Sequence, residues 1–300
     1  MTHLVLLRLS LKLGKPSTSL VARWWSRIAL DTLVLALATL WLLPVFWVFS
    51  SSLRPGSESF SLPPRFLPTA FNWRNYVYLL KGTESTGAVP IPQFFINSTK
   101  ISVLITAGQL LTCSMGAFAF AKLRFPGRDV IFLILLSALM VPGQVTSIPL
   151  FILIKTYGLF DTHAALILPA LTNVFGVFLL RQFFLTIPED LVDAAKIDGA
   201  SLWVIYSRVV LPLAKPALST LAILVFTGSW NEFYRPLIFL NSREKMTLPM
   251  GIVLAAGYMG TGPIAGVMAA VSLAVLPVLV VFLAAQKYIV QGITLTGIKG

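Results

Sequence analysis

The stretch TIPEDLVDAAKIDGASLWVIYSRVVLPLAKP, residues 186–216, is a polar island between two apolar runs. Thr186 and Glu189 have the spacing of a capping box and Pro188 suits a first helical turn, which predicts a short helix from Pro188 to about Ile197. Asp198-Gly199 offers a stop, because glycine tolerates the left-handed backbone that ends helices. Ser201 is placed to cap a second helix, Leu202–Val210, expected to finish before Pro212, and Pro216 then opens the next apolar run. So much ordered chain is long for a mere connection. Ala194 and Ala195 leave one face of the first helix nearly bare, with Asp193 and Asp198 at its rim. The island therefore reads as a surface built to be gripped by another protein from the water side, the alternative being a well-capped connecting loop.

Everything around it is suited to lipid. Of 300 residues, 57% are hydrophobic and 11% charged, and the mean hydropathy is +0.85. Soluble domains carry about a quarter charged residues, so this chain is expected to be an integral membrane protein. A formal net charge of +12 would point to nucleic acid in a soluble protein. Here no basic patch is interleaved with aromatics, and the cations gather between the apolar runs as topology signals do. No nucleic acid partner is expected. Cys113 is the sole cysteine and lies in an apolar run, and His3 and His163 are far apart. Neither a disulfide framework nor a metal site follows, and no cofactor is expected.

Six segments are long enough to cross the hydrocarbon layer, near 28–50, 97–121, 129–154, 163–184, 216–240 and 262–286. The predicted fold is an all-α polytopic transmembrane bundle with six spans. Pro142-Gly143 and Pro149 interrupt the third, predicting a kinked or re-entrant outer half. Residues 1–27 read as a basic cytoplasmic leader that lies on anionic lipid, or as a disordered tail, and Arg8, Lys12 and Lys15 break up any signal-peptide core. That leader, the segment with Lys122, Arg124 and Arg128, and the island with Lys196, Arg208 and Lys215 carry the basic excess that places both termini in the cytoplasm. In the proline-rich loop 51–96, Trp73, Tyr76, Val77 and Leu80 fall on one helical face, which reads as an interfacial anchor or a contact for an external partner.

The island resembles the EAA loop of ABC-importer permeases, a cytoplasmic coupling element (residues 186–215 here). The family pattern of Glu-Ala-Ala, Asp-Gly-Ala, Leu-Pro and a further Pro is matched from Asp193 to Pro216, with Asp193 in the usual Glu position. Leu166–Pro169, Phe178–Phe184, Trp230-Asn231-Glu232-Phe233 and the carboxy-terminal Gln286–Tyr288 and Gly297–Gly300 are similar to carbohydrate-importer permeases of the maltose type. This resemblance covers nearly all of the chain beyond residue 28. It implies a bacterial inner-membrane subunit, paired with a second related permease, an ABC ATPase dimer inside and a solute-binding protein outside. It also implies that Asp193, Ala194, Ala195, Asp198, Gly199 and Ala200 dock the ATPase.

The chain has no nucleotide site of its own: Gly82 to Gly87 is followed by Ala88-Val89 rather than Lys and Ser/Thr. Energy is expected to arrive by contact, and no catalytic group is expected here. Intramembrane polar residues are candidates for the substrate path. Trp230, Asn231 and Glu232 suit a sugar, with an aromatic face for its C–H surface and polar groups for hydroxyls. Arg235 at i+3 offers the alternative of a simple ion pair with Glu232. Asn173 and Gln144 are further candidates. A glycerol phosphodiester or polyol permease is the runner-up. An ATP-independent secondary transporter fits less well, because Glu232 is almost the only ionisable group placed mid-span and no inverted repeat is visible.

Overall fold

A computed structural model describes residues 20–58, 66–81, 91–256 and 264–296, and every regular element among them is helical. His3, most of the basic leader, the Gly82–Gly87 stretch and the closing Gly297–Gly300 lie outside the described residues. The chain divides into two units, 1–50 and 51–300. In the first, helix α1 (Leu20–Ser52) is apolar on all sides beyond Asp31, with Leu35 and Trp41 exposed. A helix that is hydrophobic all round belongs in lipid.

The second unit is organised by α3 (Ile91–Lys122), which follows the short helix α2 (Arg74–Lys81). Its 32 residues reach roughly 48 Å. The third apolar segment is two helices, α4 (Arg128–Ser137) and α5 (Ser147–Thr156), separated by a tight turn and the irregular residues 141–146 around Pro142-Gly143. The fourth is also broken: α6 (Ala164–Ile167) passes through a 3-10 turn at Leu168–Ala170 before α7 (Val174–Leu185) begins. After the polar island come α11 (Lys215–Trp230), α12 (Tyr234–Phe239), α13 (Leu248–Ala255) and α14 (Ile264–Thr296). Among the described residues four helices are long and apolar enough to cross a membrane, and a bent pair supplies a fifth.

Two sequence expectations need correcting. The segment 216–240 is not one helix: α11 ends at Trp230, Asn231 closes it, and α12 starts only at Tyr234. Glu232 therefore sits in a break rather than on a straight helix. The short helices α12 and α13 were not foreseen.

Broken helices in lipid free backbone groups that water cannot reach, each costing several kcal/mol if unpaired. One face of α3 answers the break in the fourth segment. Gln109 Nε2 donates to Ala170 O at 2.7 Å, Thr112 Oγ1 to Leu171 O at 2.5 Å, and Cys113 Sγ to Asn173 O at 3.4 Å. These donors lie at i, i+3 and i+4, on one side of the helix. Asn173 then caps α7, its Oδ1 accepting from Phe175 N at 2.8 Å and Gly176 N at 3.4 Å. Small residues permit the approach: a Cβ on Gly176 would stand 2.9 Å from Cys113 Sγ.

The end of α3 remote from the island is fastened differently. Asn97 Nδ2 donates to the carbonyls of Glu244 and Met246, and Ser98 Oγ accepts from Leu248 N. Asp161, in left-handed backbone at φ 57°, accepts from the amides of Asn241 and Ser242, from Ser242 Oγ and from Lys245 Nζ. These donors hold its carboxyl well below the usual carboxylate range, with the Ser242 hydroxyl the largest cause. His163 completes the clasp through Lys245 O at 3.0 Å.

Two outcomes test this packing. Gly251 faces the Phe94 ring so closely that an added Cβ would stand 2.0 Å from Phe94 Cδ2. Gly251→Ala is expected to cost about 1–3 kcal/mol of overpacking, seen as earlier thermal unfolding in detergent and relieved by adding Phe94→Leu. Asp161→Asn keeps a residue that tolerates the left-handed backbone but removes the charge. A depressed folded pKa stabilises above the unfolded value of about 3.9 and is lost as pH falls through the folded one. The melting temperature of Asp161→Asn should therefore lie below that of the parent by a constant gap from pH 8 to about 5, closing only under more acid conditions.

Candidate functional site

The polar island folds as a hairpin. Helix α8 (Glu189–Ile197) carries Glu189 and Asp190 in its first turn and Lys196 in its last, each matched to the helix dipole. It ends in a Schellman arrangement: Ala200 N donates to Ala195 O at 2.9 Å and Gly199 N to Lys196 O at 3.0 Å, with Gly199 at φ 79°. Ser201 Oγ then accepts from Val204 N at 3.4 Å, capping the second helix as its sequence suggests. That helix comprises α9 (Leu202–Val204), a π-helical stretch Ile205–Val210 and α10 (Leu211–Leu213). It meets α11 at 79°.

Two details differ from the sequence reading. No capping box forms: Thr186 Oγ1 donates back to Phe183 O and closes α7, while Pro188 occupies the cap position with no acceptor to offer. Glu189 instead faces Arg124 at 3.6 Å. The second helix also runs through Pro212 instead of stopping before it. Its π turn pairs Leu211 N with Tyr206 O, one residue further back than in an α-helix, and that wider loop accommodates the proline ring.

The hairpin is anchored in the core. Ile187, Val192, Ile205, Tyr206 and Val210 are buried with Phe118 and Ala121 of α3 and Phe184 of α7. Tyr206 Oη lies 2.7 Å from Ser114 Oγ, a buried bond to the last third of α3. Lys122 Nζ donates to Ile187 O at 2.6 Å. Arg181 stacks over Phe132 at 4.1 Å and donates to Phe120 O, joining α3, α4 and α7 beneath the hairpin.

The docking candidates divide between its two sides. Asp193, Ala194, Asp198 and Gly199 are exposed, whereas Ala195 and Ala200 pack partly against the core. Ala194 and Ala195 do not share a bare face, because neighbours on a helix are turned about 100° apart. Asp193 pairs with Lys196 at 2.8 Å, which holds its carboxyl below the usual range. Lys122, Arg124, Glu189, Asp193 and Lys196 line a cleft of about 370 Å³. Ile197 is 86% exposed, and Leu202 and Trp203 beside it are also exposed, an apolar apex that the sequence reading passed over. Its signal was three large apolar residues inside a hydrophilic stretch.

The substrate-path candidates separate sharply. Trp230 is 2% exposed, stacked on Phe226 and edge-on to Phe95, with Nε1 donating to Ala274 O. It presents no face to a solute. Asn231 closes α11 through Thr227 O, and Gln144 lies exposed in the 141–146 break, its carbonyl accepting from Ser147. Asn173 and Glu232, by contrast, line one cavity of about 260 Å³ together with Gln109, Phe175, Ser229 and Arg235. Glu232 and Arg235 do form the i,i+3 ion pair, at 2.9 Å. Gln109 and Ser229 were missed, being single polar residues inside apolar runs.

Residues 110–295 match the family described as binding-protein-dependent transport system inner membrane component. The chain is 36% identical to the arabinooligosaccharides transport system permease protein of Bacillus subtilis, over 91% of this chain and 96% of that one. It is 34% identical to the trehalose transport system permease protein of Mycobacterium tuberculosis, over 93% and 98%. The sn-glycerol-3-phosphate transport system permease protein of Escherichia coli is 30% identical over 90% and 96%. In fold, the chain is similar to a protein in the crystal structure of a bacterial ABC transporter involved in the import of the acidic polysaccharide alginate. The TM-score is 0.77 at 24% identity, covering 92% of this chain and 100% of that one. The chain belongs to the family of inner-membrane components of binding-protein-dependent transport systems.

Gly199 supplies a further test of the hairpin. A β-branched residue there would be forced into left-handed backbone at a cost of about 1–2 kcal/mol, although an added Cβ meets nothing within 4 Å. Gly199→Val is expected to open the 197–202 turn to limited proteolysis, while Gly199→Asn leaves it resistant.

Proposed function

We propose that this chain is one of two related permeases that together form the pore of an ATP-driven importer for a sugar or similar polyhydroxylated solute. A solute-binding protein delivers the cargo from outside, and ATP is hydrolysed on a separate ABC subunit. The chain itself performs no chemistry. The basic residues at the hairpin end, Lys122, Arg124, Arg128, Lys196 and Arg208, favour that end as cytoplasmic, with both termini on the same side. Asp161 and its clasp then face outward.

One observation carries the coupling role: a hairpin whose underside is buried in the bundle core and whose top, Ala194, Ile197 and Trp203, has no cover among the described residues. A force applied to the top passes through Tyr206 to α3 and through the 79° corner to α11. That suits a rigid-body switch between inward- and outward-open states. The relatives named for arabinooligosaccharides and trehalose support a sugar as cargo. The relative named for sn-glycerol-3-phosphate keeps a phosphorylated polyol as a second reading.

The decisive variant is Ala194→Arg, which adds bulk and charge to an exposed position without touching the core. Uptake is expected to fall at least about tenfold, as loss of a central contact does at an interface, with unchanged protein in the membrane and loss of the co-purifying ATPase. Unimpaired uptake would remove the hairpin from the coupling path. Gly199→Asp should likewise depress uptake while the protein still reaches the membrane.

A further inference from the structure

Helix α2 and the strap that leads into it are fastened where the chain leaves α1. Asn75 Nδ2 donates to Ser52 O at 2.8 Å and to Arg54 O at 2.9 Å, and Ser52 Oγ lies 2.6 Å from Tyr76 Oη. Asn72 N donates to Leu53 O at 2.8 Å, and Thr69 donates through N and Oγ1 to the Glu58 carboxylate. Tyr76, which sequence spacing groups with Trp73, Val77 and Leu80, is therefore turned inward. Asn75 and Leu79 share that inward face, and Leu79 packs against the cluster of Ile91, Phe94 and Trp230. Ile91 and Phe94 form the first turn of α3, so α2 lies beside that turn.

Its depth follows from α3. That helix, roughly 48 Å long, matches a whole bilayer with its headgroup layers, about 40–45 Å. Lys122 holds the hairpin at one end, which puts Ile91, and α2 with it, in the opposite headgroup layer. The outward face of α2 is Trp73, Arg74, Val77, Tyr78, Leu80 and Lys81, all exposed, with Trp73 at 63%. At about 100° per residue, Trp73, Val77 and Leu80 lie within about 60° of one another, and Lys81 and Arg74 within roughly the next 60°. Leu67 and Phe71 are exposed on the strap, and residues 67–81 contain no acidic side chain. An apolar edge bordered by cations is the layout of a helix lying in a membrane interface, with rings at headgroup level and cations at phosphate. A protein partner would need an acid for each cation beside an apolar contact. Phospholipid presents phosphate and acyl chain side by side at this depth.

We infer that α2 and its strap are an interfacial anchor seated on phospholipid in the leaflet remote from the hairpin. Trp73, Val77 and Leu80 enter the acyl boundary, while Arg74 and Lys81 bind lipid phosphate, so anionic lipid tightens the seat. Through Leu79 the anchor fixes the depth of the cluster that joins α3, α11 and α14. The inference needs only that the chain spans a bilayer and is independent of the cargo.

The test uses the assembled transporter in nanodiscs of phosphatidylcholine, with or without phosphatidylglycerol. Nitroxides are attached singly to Trp73→Cys, Arg74→Cys, Val77→Cys, Leu80→Cys and Lys81→Cys in a Cys113→Ser background. Power saturation then compares collisions with oxygen, which concentrates in acyl chains, and with a water-soluble nickel chelate. At positions 73, 77 and 80 oxygen collisions should exceed nickel collisions severalfold, and at 74 and 81 that preference should shrink or reverse. Phosphatidylglycerol should drive the label at position 77 deeper, and Arg74→Glu combined with Lys81→Glu should abolish the shift. Nickel access at all five positions would put the face in water, and exclusion of both reagents at 73, 77 and 80 would mean that protein covers it. Either result overturns the anchor, as does a label at position 77 that ignores phosphatidylglycerol. Should Trp73→Cys fail to assemble, positions 77 and 80 read the same edge, with the same outcomes deciding.

Discussion

A helix interrupted inside a membrane must find a partner for every backbone group it frees, and this requirement governs the second unit. The fourth segment leaves helical geometry at residues 171–173, and the carbonyls of Ala170 and Leu171 are left without helical donors. Gln109 and Thr112 on α3 take both, and Cys113 adds a weak thiol contact to Asn173 O, which Val177 N already serves. Lipid offers no such donors, so α3 cannot move away from α6 and α7 without stranding them. Hydrophobic burial does not hold helices together in a hydrocarbon solvent. Close packing at small residues and interhelical hydrogen bonds do, and here both occur on the same face of α3.

The same tie places the two functional regions. Gln109 is held by Ala170 on one side and opens the cavity on the other. Asn173, which ends the break, caps α7 and reaches the cavity rim. Five residues further along α3, Ser114 meets Tyr206 of the hairpin. The polar pocket and the hairpin thus share one helix, α3.

Much of this was legible in the sequence, for identifiable reasons. Local signals acted through local physics: Gly199 does take the left-handed backbone, Ser201 does cap, and Pro142-Gly143 does interrupt. The apolar runs matched helices wherever no second signal intruded. Long-range partners were not legible. Thr186 and Glu189 have capping-box spacing, yet Thr186 turns back to α7 and Glu189 finds Arg124, a residue far away in sequence. Trp230 looked like a sugar platform until Phe226, Phe95 and Ala274 were seen to enclose it. Gln109 and Ser229 carry no pattern of their own. Only the convergence of three separated segments gives them meaning.

The near-right-angle junction at Ala214 sets a mechanical ratio. At 1.5 Å per residue, Leu202–Leu213 is an arm of roughly 18 Å and α11 one of roughly 24 Å. Were the junction stiff, each ångström of vertical travel at the short arm's tip would swing the far end of the long arm sideways by about 1.3 Å, from those same lengths. That far end is where Ser229 and Trp230 lie and where Glu232 begins the next break. Such a crank would amplify slightly instead of attenuating a displacement carried from the hairpin to that end of α11.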